Sequence, residues 1–128
     1  MARTPRSDRS TVAIAQIKDQ RMHPKSVDKS VKEAVDALGG ISKFVSQGQI
    51  VAIKPNQTLF KLASEGSTTS PRMIASLVQL CKQAGAREVW VVEAAGHAQS
   101  TRHVMAITGM SDAAKEAGAE VIYLEEVA

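Results

Sequence analysis

From Ile50 onward the chain alternates apolar runs with segments of helical spacing, and this alternation restricts the fold more than any other feature. Ile50–Lys54, Glu88–Val92 and Val121–Leu124 read as strands. Between the first two, Ser70-Pro71 is a helix-start signature, a capping residue followed by proline at the first helical position. Ile74, Leu77, Val78 and Cys81 then repeat with helical period and Gly85 closes the segment. Between the second and third strands, Thr101 caps a short helix carrying Val104 and Met105. Gly109 breaks it, and Ser111 caps a second short helix over Ala113–Ala117. Strand, helix, strand, helix, strand predicts parallel strands joined by right-handed crossovers. The near-continuous apolar character of Ile50–Lys54 predicts a strand covered on both faces. The expected fold class is therefore α/β, a mostly parallel sheet with helices on both faces, three-layered and Rossmann-like.

Upstream, Thr11–Lys18 alternates Val12, Ile14 and the edge of Ile17 with small or polar residues and reads as a further strand. Ser26 is a candidate N-cap for a helix whose buried stripe is Val27, Val31, Ala34, Val35 and Leu38, stopped by Gly39-Gly40. Ile41–Ser46 adds a further helical turn. Residues 1–10 read as a disordered basic tail, and 11–128 as a single α/β domain.

Composition narrows the function classes. The formal charge is +3, but Arg3, Arg6 and Arg9 against Asp8 place +2 of it in the first ten residues, leaving +1 for the rest. The folded part is nearly neutral, so a phosphate-tracking surface for nucleic acid has little support. No stretch reaches the ~18 apolar residues that span a bilayer, and no apolar export core follows the basic tail; cytoplasm is the default expectation. Cys81 is the single cysteine, which excludes an internal disulfide and a metal site built from several cysteines. Aromatic residues make up only 3%, so Val, Ile, Leu, Ala and Met must fill the core.

The chemistry-bearing residues cluster at the ends of the predicted strands. Lys54 and Asn56 end the first, and Pro55 between them stops the ladder. Lysine offers a point charge and asparagine a donor and an acceptor, which together suit an anion or a carbonyl. The plainer alternative is a lysine snorkelling at a strand end beside an asparagine bonding its own turn. Thr68, Thr69 and Ser70 precede a helix N-terminus, where free N–H groups and the helix dipole favour an anion; ordinary capping is the alternative. Gly96-His97 follows the second predicted strand of the alternation, with Glu93 before it and His103 after it. Gly96 can adopt positive φ or admit a ligand, and His97 is the candidate acid or base. Arg102, beside Thr101, could clamp a carboxylate or phosphate. No metal-ligand spacing is present, and the glycines match neither a dinucleotide fingerprint nor a P-loop. In open α/β sheets ligands bind beyond the carboxyl ends of the strands. The turns after residues 54, 67 and 93 are therefore expected to converge on one pocket rim.

Several short motifs occur in order: L-G-G-I at 38–41, I-V-A-I-K-P-N at 50–56, T-T-S-P at 68–71, Q-A-G-A-R-E-V at 83–89, S-T-R at 100–102, I-T-G at 107–109 and A-G-A-E-V at 117–121. Together they resemble the N-terminal part of the domain-of-unknown-function 362 family of prokaryotic proteins, over about residues 11–126. That family is often associated with iron–sulfur proteins, and some members carry a cysteine-rich ferredoxin-like segment. This sequence lacks those cysteines, so the resemblance implies no cluster and no evident cofactor here. Family members look longer, so the resemblance implies an incomplete sheet: the sequence is expected to be a fragment, the N-terminal half of a longer domain, or a reduced form, its cleft either lacking a wall or completed by a second chain or a second copy. A fainter similarity to the N-terminal domain of lactate-racemase-like enzymes implies proton transfer at His97 alone. Three functions follow as expectations: a domain binding a small anionic ligand through Lys54, Asn56, Thr68, Thr69, Gly96 and Arg102; an enzyme half-site acting through His97; and a module that dimerises through an exposed sheet edge.

Overall fold

A computed structural model describes residues 10–18, 23–57, 59–96 and 100–127. In these, four α-helices accompany one sheet: α1 (Pro24–Ala37), β1 (Ile50–Ile53), α2 (Pro71–Gln83), β2 (Glu88–Glu93), α3 (Thr101–Ile107), α4 (Met110–Glu116) and β3 (Glu120–Tyr123). Short 3-10 turns occupy Ile41–Lys43, Ala63–Glu65 and Leu124–Glu126. The strands are parallel, in the order β1-β2-β3. The α/β class and the open parallel sheet are those the alternation predicts.

Register decides which side chains meet. Val51 and Ile53 lie opposite Val89 and Val91, and Val91 and Glu93 lie opposite Val121 and Tyr123. Alternation along each strand puts all of these on one face. The apolar members pack with Ile74, Val78 and Cys81 of α2 and with Met110 and Ala114 of α4. Met105 and Met110 are among the largest fully buried side chains, filling space that aromatic residues would occupy in a richer sequence. Burying each such side chain contributes about 1.5–3 kcal/mol. Ile50, Ala52, Trp90, Val92 and Ile122 point to the other face, and none joins this core. Of the two helical layers expected, the described residues supply one. β1 is an edge strand, and Ile50 is 41% exposed despite its apolar run.

Thr11–Lys18 differs from its expectation: it forms no strand. Ala13, Ala15 and Ile17 are half-buried while Val12 and Ile14 are 78% and 91% exposed. Ala15 and Ile17 border a groove with Val27 and Val31 of α1 and Met73 and Leu77 of α2. The alternation is thus met by seating one row of side chains on helices. A ladder needs a neighbouring strand, which local spacing cannot supply.

Helix starts shift for local reasons. α1 begins at Pro24 with His23 as N-cap, whose Nδ1 accepts from Lys25 N–H at 3.4 Å; proline suits the first turn. Ser100, one residue before the predicted cap, precedes α3, and its hydroxyl accepts from His103 N–H. Gly109, at φ 76°, precedes α4. Ser111 lies inside that helix, buried, with its hydroxyl 3.3 Å from the Tyr123 hydroxyl.

Candidate binding site

β1 and β2 end together, so Lys54 and Glu93 are brought side by side. Lys54 Nζ lies 2.8 Å from Glu93 Oε1. Glu93 is 1% exposed while the lysine side chain is 59% exposed. A carboxylate taken out of water must be compensated. Here Gln57 N–H donates to Oε2 at 3.0 Å and Ala94 N–H to Oε1 at 2.8 Å. Gln57, fully buried, extends the network: Thr108 Oγ1 donates to its Oε1 at 2.7 Å. Gln57 does not stand out in sequence, because nothing local marks a glutamine that will be buried 36 residues away from the carboxylate it supports.

Asn56 makes a clasp across the following loop. Its N–H donates to Thr69 Oγ1 at 2.9 Å, its Nδ2 to the Ser67 carbonyl at 2.8 Å, and its own carbonyl accepts from Thr69 N–H at 3.1 Å. The loop ends are thereby fixed at the start of α2. Beside them is a cavity of about 560 Å³, bordered by Asn56, residues 66–70 and the first turn of α2, within the size range of small-molecule sites. Ser70 is the N-cap residue of α2, yet its side chain makes no capping bond. Pro71 has no N–H, and the N–H groups of Arg72 and Met73 precede the first intrahelical acceptor. The anticipated plain capping is therefore not what this terminus does.

Three residues that border the cavity each hold a side-chain atom buried without a hydrogen-bond partner: Thr68 Oγ1, Ser67 Oγ and Arg72 Nε. Thr68 as a residue is 8% exposed. Arg72 Nη2 donates to Asp28 of α1, which also accepts from the Ser76 hydroxyl. Partial burial raises the Asp28 pKa, but the hydrogen bonds from Arg72 and Ser76 and the arginine charge outweigh it and hold the carboxyl below its ordinary value. Arg72 was not among the residues singled out by sequence; its position just inside the helix start was the available signal.

The remaining candidates lie elsewhere. Arg102 Nε and Nη2 donate to the two oxygens of Glu126 at 3.0 and 2.5 Å, and its guanidinium carbon is 4.3 Å from the centre of the Tyr123 ring. That fork is occupied, and it ties α3 to the turn after β3. Hydrogen bonding to Glu126 raises the arginine pKa further. Gly96 does not have positive φ, and a Cβ there would meet nothing within 4 Å. His97 lies outside the described residues. His103 stands edge-on to Phe60, with ring centres 5.6 Å apart. Of the expected convergence, the structure brings Asn56, Thr68 and Thr69 to one cavity and pairs Lys54 with Glu93. Gly96 and Arg102 do not border that cavity.

Among the described residues no group of three or more His, Cys, Asp and Glu could hold a metal ion, and no helix is long and apolar enough to cross a membrane. No curated protein and no solved structure matches the chain. The family model described as Domain of unknown function (DUF362) matches residues 51–128. The chain belongs to that family, as its ordered motifs indicate.

Proposed function

For this member of the domain-of-unknown-function 362 family, we propose a ligand-binding role: the domain takes a small anion in the cavity at the N-terminus of α2. The observation that carries the reading is the uncapped first turn of α2 beside the buried, unpartnered Thr68 hydroxyl. Helix N–H groups and their dipole favour negative charge, and a buried hydroxyl without a partner is costly unless something else bonds it. The cavity lies past the carboxyl end of β1, the side of an open parallel sheet where ligands gather. Asn56 and Thr69 shape the site, and Lys54 acts as counter-ion to Glu93.

The test is ligand-induced stabilisation. A bound anion raises the melting temperature in proportion to the logarithm of its concentration above Kd. A panel of small anions is expected to raise it for the natural protein and not for Thr68→Val, which keeps the shape and removes the hydroxyl. Equal responses in both proteins would remove Thr68 from the site.

A second reading, association with another copy of the chain, is favoured by one observation: among the described residues β1 is an apolar strand with no further strand beyond it, in a chain that also exposes Val12 and Ile14. Light scattering across a concentration series is expected to show a dimer that Ile14→Lys weakens. A monomer throughout would end this reading.

A further inference from the structure

We infer that a second copy of the chain meets β1 through one particular segment: Thr11–Lys18 of each chain lies as a further strand along the β1 edge of the other. This deepens the association reading, rests on it, and names the strand that fills the edge.

The two edges of the sheet differ. Beside β3 stand Arg102, Lys115, Glu120 and Glu126, around a cavity that Val121, Ile122 and Tyr123 also border. Charged side chains on an edge strand discourage pairing with another chain. β1, Ile50-Val51-Ala52-Ile53, carries no charge. Lys54, the next residue, has its ammonium on Glu93. Ile50 and Ala52 are exposed. Among the described residues β1 therefore ends the sheet with an apolar edge that no charge guards, which is a template for one more strand.

Thr11–Lys18 has the make-up of that strand. Its alternation sends Ala13, Ala15 and Ile17 one way and Val12 and Ile14 the other. The first row is half-buried, with Ala15 and Ile17 against α1 and α2. The second is 78% and 91% exposed. The segment contains no turn or bend, and within the described residues none of 11–18 makes a hydrogen bond. Seated on the helices, it makes no bond to its own β1. Its backbone donors and acceptors are left to water, beside an outward row of β-branched side chains of the kind strands favour.

Pairing with a second copy leaves the seat on α1 and α2 in place, because a ladder uses the edges of a strand and not its seated face. In a two-fold pair each chain gives one strand and receives one. Two identical ladders form, and the interface is self-complementary.

Light scattering, amide hydrogen exchange and mixed isotope labelling of the whole chain test this. In the dimer, alternate amides of residues 11–18 are expected to exchange at least about tenfold more slowly than in dilute monomer. Isotope-filtered contacts between labelled and unlabelled chains are expected to join residues 11–18 to residues 50–53. Adjacent N–H groups point to opposite edges of a strand, so one of Ala15→Pro and Gln16→Pro removes a ladder donor. That variant is expected to raise the dimer Kd about tenfold or more, as a donor is lost in both ladders. Neither change removes a hydrogen bond seen in the single chain, and the exchange experiment on the natural protein stands without them. A dimer unmoved by either proline, or one whose residues 11–18 exchange freely, would overturn the strand pairing and leave association standing. Contacts between 11–18 and 50–53 confined to one chain would overturn the second copy as their source. A monomer at every concentration would end both readings.

Discussion

The ammonium of Lys54 lies 2.8 Å from the buried carboxylate of Glu93, across the ends of two adjacent parallel strands. The relationship turns the most conspicuous charged residue of the sequence into a structural counter-ion. Glu93 keeps two backbone donors besides it, from Gln57 and Ala94.

Lys54→Ala is expected to destabilise the domain by about 1–2 kcal/mol. Removing one partner of a buried pair costs about 3–5 kcal/mol, and the exposure of the lysine together with the two remaining donors lowers that figure. Urea denaturation of Lys54→Ala, Glu93→Gln and the double variant measures it. The double variant should lose less than the two singles added together; strict additivity would show that the pair is not coupled.

Asp28 makes a prediction for acid. Its carboxyl is held below the ordinary value by Arg72 and Ser76, against the effect of partial burial. A depressed folded-state pKa gives stability that is fully present above the unfolded value, about 3.9, and is lost as pH falls through the folded value. Stability should therefore decline as pH drops below about 4, and Asp28→Asn should flatten that decline while being less stable near neutrality. A slope unchanged by the substitution would remove Asp28 as a contributor.

Cys81 sits in the core at 2% exposure, and burial pushes its thiol pKa up. The thiolate is the reactive form. Labelling of the native protein by a disulfide reagent is expected to be slow, accelerating on addition of denaturant. Rapid labelling without denaturant would contradict the packing of α2.

Gly85 follows the last turn of α2 at φ +91°, and an added Cβ would come within 3.3 Å of the Gln47 Cα and 3.2 Å of its Cγ. Gly85 also accepts through its carbonyl from Gly48 N–H at 2.8 Å. Gly85→Ala is expected to cost about 1–2 kcal/mol for the left-handed backbone alone, with the crowding against Gln47 added. Thermal unfolding measures it. At Gly109, also left-handed but with open space around it, the same change should cost less.

Much of the fold was legible before any coordinates. The strand runs at residues 50–54, 88–92 and 121–124, the helix start at Ser70-Pro71 and the glycine stops all rest on local preferences, and each has its counterpart in the structure. The Thr68-Thr69-Ser70 cluster and Asn56 were legible as well, because hydroxyls before a helix and a polar residue after a strand are local signals. Thr11–Lys18 was not, since alternation specifies two faces but not whether a strand or a helix pair receives one of them.

The amino-acid order by itself determined the kind of chain this is: parallel strands separated by helices, with family motifs in a fixed succession and polar residues gathered after the strands. Tertiary structure alone decided how those polar residues are used. It turned Lys54 toward Glu93, closed Arg102 on Glu126, made Asn56 a clasp, and left Thr68 and one nitrogen of Arg72 buried without partners. Periodicity fixes which face a residue occupies because it follows from backbone geometry. The identity of a partner many residues away follows from strand order and register, which no local pattern encodes.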